Sequence, residues 1–239
     1  MKQFQTSSRW LGLGSMVLMI ASCTVNAPTS NAPPSPSASP SAAVPAVPAN
    51  TAGQPTDSLD TTIVPGDHVG PITATTSYQD LRDQFGAAAL TDTEVAVGEG
   101  FFEPGTALDL GEGRSLSILW EDDARTRPAE IRNIGAAWKL AEGIGLGTSF
   151  ADLESALGAF ELSGFGWDYG GTLSLEGTAL DAYSDVLVLR VQPDPTAIES
   201  AKPQFEAVLG EDMISHDNPN LPPLKLTVTD MIVYLTPAE

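Results

Sequence analysis

The chain has 239 residues, 42% of them hydrophobic and 18% charged, which is enough for one good-sized apolar core or two small ones. Eleven Lys and Arg stand against 31 Asp and Glu, a formal net charge of -20, so the clustered cations that nucleic-acid phosphates need are missing. One Cys and two His exclude an internal disulfide and a Cys-rich metal knuckle.

Lys2 and Arg9 precede an apolar run at 11–21 that is half the length of a bilayer span, so it reads as the core of a signal peptide. The run ends in Ile20-Ala21-Ser22-Cys23. These four residues resemble the lipobox of bacterial lipoproteins. The resemblance implies cleavage after Ser22, acylation of Cys23 with fatty acids such as palmitate, and a chain held to the membrane without spanning it. Two or three acyl chains hold firmly where one holds only marginally. Thr24 follows the Cys, which resembles the outer-membrane sorting pattern of enteric lipoproteins. The expected location is the cell envelope, on the periplasmic or outer side. The domain plan is a signal peptide over 1–22, the lipidated Cys23 with its tether over 23–59, and a folded region over 60–239.

Residues 24–57 hold eight Pro, eight Ala and five Ser, with no aromatic residue and one charge, Asp57. Such a segment cannot bury enough surface to offset chain entropy. As polyproline II it reaches at most about 100 Å. No basic residue flanks its prolines, so it reads as a spacer.

The folded region contains an internal similarity. Thr76-Ser77-Tyr78-Gln79-Asp80-Leu81-Arg82-Asp83-Gln84-Phe85-Gly86 returns 72 residues later, from Thr148 to Gly158, with Thr, Ser, Asp, Leu and Gly identical at matching positions. Each copy reads as a short helix. Ser77 with Asp80, and Ser149 with Asp152, have capping-box spacing. Tyr78, Leu81 and Phe85 share one face, as do Phe150, Leu153 and Leu157. Gly86 and Gly158 suit the left-handed C′ position. Alternating patterns follow, predicting strands at 93–97, 106–110, 115–121, 129–134 and 136–140 after the first helix, and at 160–163, 171–175 and 185–191 after the second. Glu103-Pro104-Gly105 and Gly111-Glu112-Gly113 are expected turns. A further helix over 196–209, disturbed by Pro203, and a long strand over 224–235 complete the chain. The expected class is α+β: two units of a helix and an antiparallel meander, about 70–140 and 143–192, with helices on one face of the sheet.

The x-x-T-S-x-x-x-L-x-x-x-L/F-G phrase at residues 74–86 and 146–158 looks like the small envelope lipoproteins of the SmpA/OmlA type and the tandem-repeat β-lactamase-inhibitor-protein fold, best over 70–175. That resemblance implies a domain that binds other proteins and catalyses nothing. Gly164-Phe165-Gly166-Trp167-Asp168-Tyr169-Gly170-Gly171 also looks like a phrase of uncharacterised envelope lipoproteins, which carries no known activity.

The candidate chemistry is sparse. Gly143-Ile144-Gly145-Leu146-Gly147 lacks the register of a phosphate-binding turn, so no nucleotide is expected. Ser215-His216-Asp217 are triad types in a row, but triads assemble in space and no nucleophile elbow is present. Asp212, His216, Asp217, Asn218 and Asn220 offer cation donors without Ca-loop spacing, and read as a polar turn. Arg114, Arg125, Arg127, Arg132 and Lys139 make a locally basic stretch. Arg125 and Arg127 either clamp an anion or pair with nearby acids such as Glu121, Asp122 and Asp123. Trp167-Asp168-Tyr169, between flexible glycines, is open to three readings: a structural turn with Trp167 in the core, a protein-contact anchor, or a small-ligand site in which Trp167 stacks on a sugar and Asp168 accepts its hydroxyls.

The expected function is a lipid-anchored envelope protein with a non-catalytic protein-interaction or envelope-assembly domain. It has no cofactor and no metal, and it contacts the membrane through acylated Cys23 and an unidentified envelope protein. The alternative is a solute- or glycan-binding lipoprotein using the Trp167-Asp168-Tyr169 loop.

Overall fold

A computed structural model of the protein describes residues 59–236. The lipobox, Cys23 and the Pro-rich segment lie outside the described residues. Three short strands come first: β1 (Thr62–Val64), β2 (His68–Val69) and β3 (Ile72–Thr73). Helix α1 (Tyr78–Phe85) follows, then β4 (Leu90–Gly98), β5 (Phe101–Asp109), β6 (Ser115–Trp120), β7 (Pro128–Arg132) and β8 (Lys139–Leu140). The rest of the chain forms α2 (Phe150–Leu157), β9 (Glu161–Ser163), β10 (Leu187–Gln192), α3 (Pro195–Ser200), α4 (Lys202–Glu206), β11 (Met213–Ser215) and β12 (Thr227–Tyr234). The class is α+β. Among the described residues, no helix is long and apolar enough to cross a membrane.

Both helix signals act as their chemistry dictates. The Ser77 hydroxyl accepts from the Asp80 amide, and the Asp80 carboxylate accepts from the Ser77 amide, a reciprocal cap that satisfies two otherwise open donors. Ser149 likewise accepts from the Asp152 amide. At the other end Gly86 and Gly158 have positive φ, 83 and 80, but ψ of 154 and -142, so the chain leaves each helix in an extended, glycine-only geometry where the left-handed helical one was expected. Leu81 of α1 and Phe150, Leu153 and Leu157 of α2 are buried in the same apolar cluster, with Tyr78 and Phe85 packed against it. The predicted third helix is two pieces. Ala201, at φ -119 and ψ 38, breaks it before Lys202-Pro203, because Pro203 has no amide to continue the helical ladder to the Glu199 carbonyl and its ring crowds that carbonyl.

β4 to β7 form an antiparallel meander, and β12 and β10 extend it, in the order β10-β12-β7-β6-β5-β4. β9 pairs with β11. Single bridges, Leu162 with Leu173 and Thr172 with Arg190, lead from β9 to β10, so 171–175 contributes bridges where a strand was expected. β8 also differs from expectation. It is two residues long and lies parallel to β1, with Ile63 opposite Leu140.

One expected turn moves. Glu103-Pro104-Gly105 lies inside β5, and the chain reverses at Glu99-Gly100 between Gly98 and Phe101. Glu99 and Gly100 both have positive φ, 52 and 77, the requirement of a two-residue hairpin matched to strand twist. Pro104 is tolerated because β5 pairs with β6 only from Gly105 onward, so at Pro104 a missing N–H breaks no bond to β6.

Candidate functional site

The segment 164–171 is shaped by close backbone approaches. Phe165, not Trp167, fills the core. Its amide donates to Val208 O and its carbonyl accepts from Gly210 N, both at 2.9 Å. Gly171 has φ +76, and a Cβ there would lie 1.9 Å from Val191 O on β10, so no other residue fits without moving the strand. Trp167 is half-buried, with its indole Nε1 donating to Gly164 O at 2.9 Å and its ring in a T-shaped contact with Tyr169, centres 5.3 Å apart. Asp168 Oδ2 accepts from the Glu99 amide at 2.9 Å, and the Tyr169 hydroxyl donates to Glu99 Oε1 at 3.1 Å. The loop is thus tied to the tip of the β4–β5 hairpin.

That tie closes one side of a cleft of about 630 Å³ over the sheet face opposite the core. Its lining includes Arg132, Asn133, Tyr169, Thr172, Arg190, Asp230 and Tyr234. Arg190 and Asp230 are directly opposite one another on β10 and β12, with Nη1 to Oδ2 at 2.9 Å. Arg190 Nε also donates to Thr172 Oγ1 at 3.1 Å, and its guanidinium lies 6.0 Å from the Tyr169 ring centre. Arg132 Nε donates to Glu130 Oε2 at 2.6 Å. Asn133 Nδ2 donates to Ser117 Oγ at 3.0 Å. Tyr169 is held protonated above the usual phenol range, first by its bond to Glu99 and then by that carboxylate's charge. Tyr234 is shifted the same way by burial and by Glu130.

Exposed apolar side chains occur on the hairpin and, separately, beside the loop. Phe101 and Phe102, which follow the Glu99-Gly100 turn, are 66% and 62% exposed. Leu209 and Met213 are about half exposed. Leu209 lies against Gly166, and Met213 Sδ is 3.8 Å from Ser163 Oγ.

Trp167, Asp168 and Tyr169 therefore come together, whereas Arg125 and Arg127 lie elsewhere. Arg125 pairs with Asp92 on β4 and stacks over Tyr78 of α1 at 5.2 Å, and Arg127 pairs with Glu121. Asp92 is accordingly held below the usual carboxylate range by the Arg125 hydrogen bond. Lys139 Nζ donates to Leu146 O, across the 143–147 glycines. His216 stacks on Phe160 and meets Glu154 at 3.1 Å, while Ser215 sits on β11 opposite Glu161. Among the described residues no group of His, Cys, Asp or Glu is arranged to hold a metal ion. The Asn218 side chain accepts from the Asn220 amide, as in a polar turn.

Sequence reasoning missed Arg190, Asp230, Asn133 and Tyr234. The alternation of β10, with Leu187, Leu189 and Val191 buried and Val188, Arg190 and Gln192 facing away, marks their side of the sheet. It does not say that a loop will cover that side.

No protein-family model matches the chain, and no curated protein matches it. Among solved structures it is similar to the crystal structure of the uncharacterised Escherichia coli protein YfeY, at 15% identity and a TM-score of 0.41, over 71% of this chain and 97% of that one. That likeness assigns no activity.

Proposed function

We propose that this chain is a lipid-anchored protein of the bacterial envelope whose folded region is a non-catalytic protein-interaction or envelope-assembly module. The anchor rests on the Ile20-Ala21-Ser22-Cys23 lipobox, and Thr24 favours the outer membrane. The spacer gives the domain reach from the bilayer. The two capped helices, Ser77 to Gly86 and Ser149 to Gly158, support reading the fold as two copies of one helix–meander unit with the helices on one sheet face. This is the plan of the SmpA/OmlA-type and β-lactamase-inhibitor-like proteins that the sequence resembles.

One observation carries the interaction reading: Phe101, Phe102, Leu209 and Met213 are exposed around the hairpin and the Trp167 loop. Phe101 and Phe102 are neighbours on β5, and adjacent exposed aromatic side chains supply the large apolar area typical of interface anchors. In-cell crosslinking followed by pull-down from membranes tests it. The expected result is one stoichiometric envelope protein captured by the native chain and lost with Phe101→Ser and Phe102→Ser together, at unchanged melting temperature. Cys23→Ser releases the protein from the membrane fraction. Capture of no protein, or capture indifferent to the double variant, overturns the interaction face.

A further inference from the structure

We propose that the cleft between the Trp167-Asp168-Tyr169 loop and strands β7, β10 and β12 binds an uncharged saccharide segment. The proposal stands on the cleft residues and is independent of the exposed phenylalanines. The volume, about 630 Å³, lies within the range of small-molecule sites. Its polar groups are held in advance. Arg190 is fastened to Asp230 and Thr172, and Arg132 to Glu130, with their side chains only 17% and 14% exposed. Each guanidinium has five N–H donors, and a carboxylate has more lone pairs than one partner uses. The cleft therefore sets donors beside acceptors, the match for a hydroxyl that both gives and takes a hydrogen bond.

Charge decides against an anion. Arg132 and Arg190 are offset by Asp168 and Asp230 in the lining, and Glu130 sits on Arg132 as well. A phosphate or carboxylate meets no surplus positive charge here, and it approaches a chain of net charge -20. The walls also include the side chains of Tyr169, Tyr234, Val188 and Ile232. Aromatic faces beside fixed polar groups suit a ligand with C–H faces and a hydroxyl rim. Protonated phenols keep the tyrosines uncharged, which serves the same ligand.

The test is calorimetric titration of the full-length chain, in micelles of a zwitterionic detergent without sugar. The probes are uncharged tetrasaccharides of β-1,4-N-acetylglucosamine, β-1,4-glucose and α-1,4-glucose, with inorganic phosphate as competitor. A parallel arm sediments the protein with purified insoluble cell-wall glycan. The expected result is saturable binding in at least one arm, weakened about tenfold or more by Tyr169→Ala and by Arg190→Ala, and unchanged by Arg125→Ala. Binding to tetrasaccharides alone identifies a free oligosaccharide as the source, and sedimentation alone identifies the polymer. Tyr169 projects from the surface, so Tyr169→Ala decides the matter if Arg190→Ala fails to fold. No binding in either arm up to about 10 mM, binding indifferent to Tyr169→Ala, or displacement by phosphate overturns the proposal.

Discussion

Glu99 is held twice by residues about 70 positions away: its amide donates to the Asp168 carboxylate, and its own carboxylate accepts from the Tyr169 hydroxyl. The Asp168 bond is charge-assisted but exposed, so its net worth is about 1 kcal/mol or less. Its larger effect is positional, because it holds the hairpin tip against the loop. Asp168→Ala is expected to leave the melting temperature nearly unchanged and to speed hydrogen exchange of the Glu99 amide, measured by NMR. Exchange at the native rate would mean that the loop and hairpin are not joined in solution. The same scale explains why Arg125 and Arg127 are poor anion clamps: each already lies on a carboxylate of this chain.

Among the elements, loop 164–171 and β10 depend on each other. Val191 N donates to Gly171 O at 2.9 Å, and the approach that allows this bond leaves no room for a Cβ at Gly171. Gly86 makes a useful contrast, since it also has positive φ, +83, but open space where a Cβ would stand. Gly86→Ala therefore carries backbone strain alone, about 1–3 kcal/mol. Gly171→Ala adds a backbone clash and is expected to cost about 3 kcal/mol or more. Urea denaturation of the two variants measures the order, and equal losses would refute the packing argument. The helices obey simpler rules, because a Ser–Asp cap and an i, i+3, i+7 apolar face suffice to start and seat each one.

For the molecule as a whole, acidity dominates. Asp80, Asp92, Asp122 and Asp194 are held below the usual aspartate range, first by side-chain bonds to Ser77, Arg125, Thr126 and Thr196, and Asp60 by the Thr62 amide. A carboxylate whose folded pKa is depressed binds protons more readily when unfolded. Its stabilisation is present above about pH 4 and is lost as pH falls through the folded value. A lower pH also reduces the net negative charge of a -20 chain and with it the self-repulsion of the compact state. The melting temperature is thus expected to hold or rise from pH 7 to about 5 and to fall below about 4. At the alkaline end, Tyr169 and Tyr234 have raised values, so their contribution is complete below about pH 10 and is lost above it. A melting temperature that declines steadily from pH 7 to 5 would contradict this account.

Local rules were readable along the chain. The helix caps, the apolar faces, the Gly111–Gly113 reversal and the outward side of β10 each depend on residues a few positions apart, and so does the disturbance at Pro203. Trp167, Asp168 and Tyr169 stood out for the same reason, as aromatics and a carboxylate between glycines. The reversal at Glu99-Gly100, the parallel pairing of β8 with β1 and the burial of Phe165 in place of Trp167 were not readable, because each answers to a strand or backbone far off in sequence. The cleft is the extreme case. Arg190 meets Asp230 across 40 positions, and Glu99 meets Asp168 across 69. Composition and spacing dictated an acidic α+β chain with capped helices and half-buried strands, since those follow from local propensity and hydrophobic period. Which polar residues share a cavity was set by strand register and by the contact of the hairpin tip with the loop, which arise from the packing of the entire core.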